Sequence, residues 1–449
     1  MNRDASTKNV TSAYQERSRT TLERALSDFS FYTAWLAHDP GTQKGIDERY
    51  AALPVLSKAD IREHFPQGLV PRGFDLEAAL GRGDVELVNT SGTTSEQVTN
   101  IWNQRWWDAS ERASWQMHPV MRHWATGSHR EALLTSSRNV GRVSDQQDLS
   151  FSERRLGRFL YLNEKSNPSF WRDRHYLRMI KDMEDYQPEI LEANPSYLWR
   201  LCRFALARGL IIPQPHAIVF TFERPLAYQL HYIRQAFSCP LISSYGSTEL
   251  GYVFMQCQYG RLHQNVEFCR VDFQALAGQS GQRRGRILVT TFENPYYQIM
   301  RFDPGDIVQL ADAACACGQK EGLVLEDIEG RFAQTTWAVD GALVPLSRLD
   351  GTMYGLLGPL TYELVQECGD TYRLRVEERV DSAGVSAGLR RLYGNTARII
   401  SERVDTIEAT ASGKFRHAYT LFPRDVEDFI RLPGDPGFSR GGRRKRASA

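Results

Sequence analysis

Short apolar runs alternate with helical patterns through the middle of the chain. HAIVFTF (216–222) and PLISSYG (240–246) are rich in β-branched and aromatic residues, which predicts two buried strands. Between them, PLAYQLHYIRQAF (225–237) has apolar residues at helical spacing, and we expect Pro225 in its first turn. Strands that alternate with helices in this way predict an α/β sheet.

The pattern changes after residue 260. RLHQNVEFCRVDF, GRILVTTF and DIVQLA follow one another as strand-like runs with short polar joints, which predicts a mainly β subdomain. Further on, YRLRVEERV and TARIISERV flank the helix-like AGLRRLYG. We therefore expect an α/β fold: a large N-terminal domain of mixed sheets flanked by helices with a β subdomain (1–330), a small mobile α+β C-terminal domain (331–430) and a basic disordered tail (431–449).

Four shorter patterns complete the predicted elements. LPVLSKADIREHFP has a helix-capping serine, Ser57, before its apolar positions, and VELVN (85–89) resembles a strand. RWWDASERASWQMHPVMRHW (105–124) has helical spacing of its large residues. SYLWRLCRFALARG (196–209) has helical periodicity and ends on Gly209.

Composition narrows the class of protein. The 449 residues carry a net charge of +1, so the sequence does not favour nucleic acid or a membrane surface as a partner. No apolar run approaches the length of a membrane span, and the N-terminus is polar, so we expect a soluble, cytoplasmic protein. Only eight of the 55 cationic residues are lysines, which draws attention to each of them. The sequence leaves a homodimer open.

The strand-like VELVN is followed by the hydroxyl-rich segment TSGTT, which comprises Thr90, Ser91, Gly92, Thr93 and Thr94. Hydroxyls and backbone N–H groups beside a glycine suit a phosphate group, because glycine lets the backbone approach a ligand closely. No Walker-type motif occurs in the chain. Taken alone, TSGTT is more often a plain turn.

Four other segments carry residue types that would complement this loop. They are SYGSTEL (244–250), MRFDPGD (300–306), IEGR (328–331) and ASGKFR (411–416). An aromatic ring can stack on a base, a carboxylate can hold magnesium or accept from ribose hydroxyls, and a lysine can neutralise phosphate. Each residue also has an ordinary structural explanation: Tyr245 as a core ring, Glu249 at a helix start, Asp306 in a turn and Lys414 as a solvated charge.

In this order and at these separations, the segments resemble the adenylate-forming ligase superfamily, and within it the phenylacetate–coenzyme A ligase-like branch. The resemblance spans roughly residues 50–420. It implies that ATP activates a carboxylic acid to an acyl adenylate, and that the acyl group then passes to coenzyme A. Alternative acceptors are an amine, a hydroxyl or an acyl carrier protein.

The resemblance also implies roles for individual residues. Lys414, Thr248 and Glu249 would be catalytic, Glu249 through Mg²⁺ and Lys414 by bridging the substrate carboxylate and the α-phosphate. ATP would be held by Thr90, Ser91, Gly92, Thr93, Thr94, Tyr245, Gly246, Ser247, Asp306 and Arg331. The acid, which we expect to be aromatic, would contact Phe222, Ser243, Ser244, Gly251 and Tyr252.

Three departures from the family pattern affect these expectations. Phe222 stands where a glycine is common beside Glu223, and its ring would narrow the adjoining adenine or acyl pocket. The segment after TSGTT is SEQV, where the family usually continues with a glycine and soon a proline. At the hinge, the family pattern Gly-Arg-x-Asp is replaced by Gly330-Arg331-Phe332-Ala333, which lacks the acid. The sequence therefore leaves open whether the small domain moves as in the family. A third class of function, a non-catalytic nucleotide sensor or scaffold that uses the basic tail, also stays open.

A second group of residues suggests a metal. Cys257 and His263 are separated by five residues, and Cys315 and Cys317 form a CAC sequence followed by Gly318. Three thiolates and one imidazole are the ligand types of a structural, tetrahedral zinc site. The alternative is that all are buried reduced residues, because free cysteine is common in protein cores.

Overall fold

A computed structural model describes residues 10–90, 98–135, 147–277, 283–410, 414–422 and 424–430. Its helices, α1 to α13 in chain order, are Ser12–Asp28, Ser30–Thr33, Ile46–Ala52, Lys58–His64, Leu76–Arg82, Gln104–Trp115, Pro119–Trp124, Phe151–Arg154, Asp173–Tyr186, Pro195–Ala207, Ala227–Ala236, Leu346–Leu357 and Ser382–Tyr393.

The strands, β1 to β20 in chain order, are Glu86–Asn89, Thr99–Trp102, Glu131–Leu134, Arg155–Leu156, Phe159–Tyr161, Ile190–Ala193, Ala217–Phe220, Leu241–Ser247, Gly251–Gln256, Leu262–Gln264, Cys269–Ala275, Arg284–Thr291, Asp306–Leu310, Val324–Arg331, Thr336–Trp337, Leu343–Val344, Tyr362–Gln366, Thr371–Val376, Arg398–Arg403 and Ala418–Thr420.

One mixed sheet dominates the large part of the chain. Among the described residues its strand order is β11-β12-β13-β14-β10-β9-β8-β7-β6-β3-β5-β4. The stretch from β5 through β3, β6 and β7 to β8 is parallel, whereas every pairing from β8 to β11 is antiparallel. This is the expected mixed α/β architecture. The pairing of β8 with β9 joins the antiparallel strands to the parallel strands in one sheet.

A separate four-stranded sheet has the order β19-β18-β17-β20. It packs with α12 and α13 against α10 and α11 of the large part. Tyr228 and Ile233 of α11 belong to the same buried apolar cluster as Leu349 and Met353 of α12. The two parts of the chain therefore share a continuous apolar contact.

Local sequence signals explain most element boundaries. Ser57 caps α4 in a reciprocal capping box with Asp60, as its sequence predicts. The segment 105–124, whose large residues have helical spacing, forms two helices, α6 and α7. Pro119, which lacks a backbone N–H, is the first residue of α7. His118, the residue before it, caps this helix because its side chain accepts the Val120 N–H.

The helix after β7 begins later than predicted. Pro225 lies two residues before α11, and Leu226 is the N-cap residue. The Gln229 side chain accepts the Leu226 backbone N–H at 2.8 Å, which fixes the start of the helix.

No helix within the described ranges is both long and apolar enough to span a lipid bilayer.

Candidate functional site

The carboxyl ends of β6, β7 and β8 meet at one edge of the parallel sheet, where polar side chains follow each strand. A cavity of about 550 Å³ opens there, and the small C-terminal sheet covers part of it. Its lining includes every predicted nucleotide, substrate and catalytic residue that the structure describes: Thr90, Phe222, Ser243, Ser244, Tyr245, Gly246, Ser247, Thr248, Glu249, Gly251, Tyr252, Asp306, Arg331 and Lys414. Ser91, Gly92, Thr93 and Thr94 lie outside the described residues.

Asp306 is held between a phenol and a guanidinium. The Tyr245 hydroxyl donates to Asp306 Oδ2 at 2.8 Å, and Arg331 Nε lies 3.3 Å from Asp306 Oδ1. Asp306 and Arg331 are cross-strand partners in β13 and β14, so the backbone ladder sets their proximity. Burial and the adjacent Asp306 carboxylate raise the pKa of Tyr245 well above its usual value. Each Asp306 oxygen keeps a lone pair for a further donor, such as a ribose hydroxyl.

Lys414 enters the cavity from the small sheet, just before β20. Its carbonyl accepts the backbone N–H of Thr410 at 2.7 Å and the Thr410 hydroxyl at 2.8 Å, which holds Lys414 against Thr410. Burial lowers the pKa of Lys414, while the Glu223 carboxylate partly counteracts this shift. An anionic ligand would stabilise the charged ammonium further.

Glu223 ties the Lys414 loop to the large part of the chain. Its carboxylate accepts the Phe415 backbone N–H at 3.0 Å and the Ser196 hydroxyl. The Arg200 guanidinium lies 4.0 Å from the centroid of the Phe415 ring. These contacts hold Lys414 over the cavity.

The sequence analysis missed a second lysine in this site. Lys58 begins α4 and lines the cavity, with its Nζ 3.9 Å from Glu249 Oε1. Glu249 itself is buried. Two sequence features could have pointed to Lys58: lysine is scarce in this chain, and a capping serine precedes this one.

Two serines of β8, Ser244 and Ser247, line the cavity. Their hydroxyl oxygens are inaccessible to solvent and have no hydrogen-bond partner among the described residues. Buried hydroxyls are normally paired, so these two are exceptions. Gly246 lies between them, and a Cβ there would come within 2.1 Å of the Gly251 carbonyl oxygen, so this close approach of β8 and β9 requires glycine.

Phe222 follows β7 at the rim of the cavity, with a backbone φ of 71°. Positive φ is unfavourable for a bulky L-residue and costs about 1–2 kcal/mol. The side chain is 42% exposed, so it gains little from burial. The position is therefore one at which glycine would fit the backbone better.

We expect Phe222→Gly to raise the free energy of unfolding by about 1 kcal/mol, because glycine removes the steric strain at positive φ. Phe222→Ala is the matched control, since it removes the ring but keeps the Cβ, and it should give no such gain. Urea titrations of the three proteins make the comparison. Equal stability of the Gly and Ala variants would show that the backbone is not strained at this position.

The seam between the two parts of the chain contains a buried histidine, His417, on the loop before β20. Its ring packs near those of Tyr228, Tyr362 and Phe415. Burial lowers the pKa of His417 to about 4, and the positive charge of Arg200 acts in the same direction. The imidazole is therefore neutral in the folded protein at neutral pH.

Acid should weaken the fold through His417. Since the folded pKa lies below the ordinary value, the unfolded chain takes up the proton first, so stability is complete above about pH 6.5 and falls as the pH drops towards 4. The loss amounts to about 3 kcal/mol. Denaturant titrations from pH 7 to pH 4.5 should show a shallower loss for His417→Gln than for the wild type. Replacing the exposed His38 in the same way should leave the wild-type slope, and an unchanged slope for His417→Gln would contradict the prediction.

The four predicted metal ligands lie together on the antiparallel side of the large sheet. Cys257 follows β9, His263 lies on β10, and Cys315 and Cys317 lie in the loop between β13 and β14. Cys257 Sγ is 3.6 Å from Cys315 Sγ, and Cys317 Sγ is 3.3 Å from His263 Nε2. All four ligand atoms are within 4.8 Å of one another. Tetrahedral zinc with Zn–S bonds of about 2.3 Å places two sulfurs about 3.8 Å apart, so this donor set fits the ion.

No protein-family model matches the chain. Its sequence is 25% identical to protein CapK of Staphylococcus aureus over 153 residues, which cover 34% of this chain and 33% of that protein. The chain thus matches about a third of the length of this curated relative.

Solved structures of 2-hydroxyisobutyryl-CoA ligase are similar over most of the chain. The ligase in the post-adenylation state, bound to 2-HIB-AMP, aligns with a TM-score of 0.66 at 16% identity, covering 92% of this chain and 90% of that one. Its thioesterification state, with 2-HIB-AMP and CoA, aligns with a TM-score of 0.53 at 17% identity, covering 93% and 90%. The chain has the fold of the adenylate-forming acyl-CoA ligases.

Proposed function

We propose that the protein activates an aromatic carboxylic acid with ATP to an acyl adenylate and then transfers the acyl group to coenzyme A. The observation that carries this proposal is the meeting of Lys414, from the small C-terminal part, with Tyr245, Asp306 and Arg331 in one cavity. A cation on a separate module, poised over an aromatic and a carboxylate, suits a reaction between two anions.

In the first step, a carboxylate oxygen of the acid attacks the α-phosphorus of ATP, and the bond to the bridging oxygen breaks to release pyrophosphate. Lys414 would neutralise the charge shared by the carboxylate and the α-phosphate, while Thr248 would donate to the α-phosphate. Glu249 would hold Mg²⁺ on the phosphates. The TSGTT segment would hold the remaining phosphates through its hydroxyl and N–H groups.

The nucleoside would lie against Tyr245 and Asp306. The Tyr245 ring would lie against adenine, and Asp306, oriented by the Tyr245 hydroxyl and Arg331, would accept from the ribose hydroxyls. Gly246 and Ser247 would line the same side of the nucleotide. In the second step, the thiol of coenzyme A attacks the acyl carbonyl and AMP leaves.

The acid would occupy the end of the cavity lined by Phe222, Ser243, Ser244, Gly251 and Tyr252. Trp107 lies beside Tyr252 with ring centroids 5.2 Å apart and lines the same cavity. These flat, apolar surfaces support a preference for an aromatic acid over a long alkyl chain.

We also propose a structural zinc ion held by Cys257, His263, Cys315 and Cys317. Four protein ligands would fill its coordination sphere, so the ion would fix the loop between β13 and β14 and take no part in the reaction.

An acid-dependent exchange of pyrophosphate into ATP tests the proposed activity. A panel of aromatic and aliphatic acids should give exchange with at least some aromatic members, and coenzyme A should accelerate the release of AMP. Exchange without any effect of coenzyme A would favour an amine, a hydroxyl or a carrier protein as the acceptor. Absence of exchange with every acid would overturn the proposal.

A further inference from the structure

Three glutamates from separate elements lie together beneath the acyl end of the cavity. Glu111 belongs to α6, Glu131 to β3 and Glu192 to β6, and each places a carboxylate oxygen within 4.8 Å of the other two. Glu192 lines the cavity, and Tyr252, which also lines it, donates its hydroxyl to Glu111 Oε1 at 2.9 Å. We call these three residues the carboxylate triad.

Among the residues that the structure describes, the carboxylates of the triad outnumber the cations beside them. Arg158 Nη1 lies 2.6 Å from Glu131 Oε2, and Arg158 Nη2 lies 3.4 Å from Glu111 Oε2. His129 Nε2 is 2.9 Å from Glu131 Oε2 and adds a positive charge only when protonated. Glu192 accepts the Thr221 hydroxyl at 2.9 Å, which is a neutral donor. Within the described ranges, these contacts therefore set at most two positive charges against three carboxylates.

An independent feature of the triad points to a missing partner. Glu131 is completely buried, yet its Oε1 has no hydrogen-bond partner in the part of the chain that the structure describes. A buried oxygen of this kind is costly unless a proton or a ligand satisfies it. Burial, followed by the neighbouring carboxylates, raises the pKa of Glu192 well above its usual value, and burial and Glu131 raise the pKa of Glu111 to about 8. Without a cation, burial thus favours the protonated forms of Glu111 and Glu192.

Aromatic rings border the same end of the cavity. Trp107 and Tyr252 line it, and Trp102 packs on Trp107 with ring centroids 4.1 Å apart. Ring faces next to a carboxylate attract organic cations through both the ring quadrupole and the formal charge. A calcium or magnesium ion would instead need six or more oxygen ligands, and Arg158, Tyr252 and Thr221 already occupy several of the carboxylate oxygens.

We propose that the acid activated by this protein carries a protonated amine, and that its ammonium group binds at Glu192 on the edge of the carboxylate triad. This inference rests on the proposed adenylating function and narrows its substrate to amino-substituted acids. The carboxylate of the acid would face Lys414, and the ammonium would face the opposite end of the acyl pocket. The ligand's positive charge would take the place of a proton held by the triad.

The test measures pyrophosphate exchange by the full-length protein with matched pairs of acids. Para-aminomethylbenzoate is compared with para-ethylbenzoate, and para-aminomethylphenylacetate with para-ethylphenylacetate, because the members of each pair differ in an ammonium group at the end away from the carboxylate. We expect kcat/KM to be at least about tenfold higher for an ammonium acid than for its neutral partner, as for the loss of a buried charge pair. Exchange that is equal or stronger with the neutral acids would overturn this inference and leave the adenylating function standing. No exchange with any acid would overturn both.

Two variants test whether Glu192 causes the preference for the ammonium acids. Glu192→Gln should reduce the preference for the ammonium acids, the ratio of kcat/KM within each pair, to about one, because glutamine carries no charge but can still accept from Thr221. A melting temperature close to that of the wild type shows that the variant is folded. Glu184→Gln, on the exposed face of α9, removes a carboxylate elsewhere and should keep the wild-type preference. An unchanged preference in Glu192→Gln would overturn the assignment. So would binding of Mn²⁺ alone that depends on Glu192, since it would identify a metal site.

Discussion

Lys414→Ala is expected to lower the rate of acid-dependent pyrophosphate exchange by about 100- to 1,000-fold, the usual effect of removing one group that stabilises transition-state charge. The ammonium lies in the cavity beside Glu223, Arg331 and Asp306, and burial already lowers its pKa. Its charged form is therefore stabilised most when the triphosphate and the substrate carboxylate are both present. The affinity for ATP, measured by calorimetry, should change little.

Two further measurements separate this role from a structural one. Lys44, whose exposed side chain pairs with Glu48, is the matched control, and Lys44→Ala should keep wild-type exchange. Synthetic acyl adenylate should still react with coenzyme A in the Lys414→Ala variant, because the proposed role of the lysine ends with the first step. Exchange at the wild-type rate in Lys414→Ala would contradict the proposed chemistry.

The local patterns of the chain predict its central sheet well because their apolar residues are contiguous. The two strands around 217–220 and 241–247 and the helix between them follow directly from β-branched runs and helical spacing. Boundaries were less accurate where a single side chain decides them, as at Gln229 before α11. The join of the antiparallel strands to the parallel ones depends on the β8–β9 pairing, which no local pattern encodes.

The residues of the candidate site also differ in how well the sequence predicts them. Residues in short motifs, such as Tyr245 and Asp306, could be selected from the sequence, and the structure brings them to one cavity. The roles assigned to them stay predictions. Glu111, Glu131 and Glu192 form no motif, because three distant elements bring them together. The sequence offered a signal for two of them: Glu131 and Glu192 adjoin apolar residues in the runs EALL and ILEA, where a charge needs a partner.

The strained residue at the rim of the cavity illustrates a third case. The family resemblance placed Phe222 in the substrate pocket and at a position where a glycine is common. Its positive φ is a property of the turn after β7, and the usual glycine was the one sequence signal of that backbone. The turn imposes this conformation on a phenylalanine, so the strain becomes evident only in the folded structure.

Replacing one ligand of the Cys/His cluster should affect the whole protein. We expect purified wild-type protein to contain about one zinc ion per chain, and Cys317→Ser to lose it and to unfold with a free energy lower by at least about 3 kcal/mol, because metal binding contributes directly to folding. The physical reason is local: the four ligand atoms lie within 4.8 Å of one another, and a bound ion would offset the repulsion between their thiolates. Elemental analysis and thermal unfolding, with and without a chelator, provide the measurement. Cys368→Ser, at an exposed cysteine outside the cluster, is the matched control and should keep both the zinc and the wild-type melting temperature. Wild-type protein that is free of zinc and insensitive to the chelator would show instead that the four side chains are reduced packing residues.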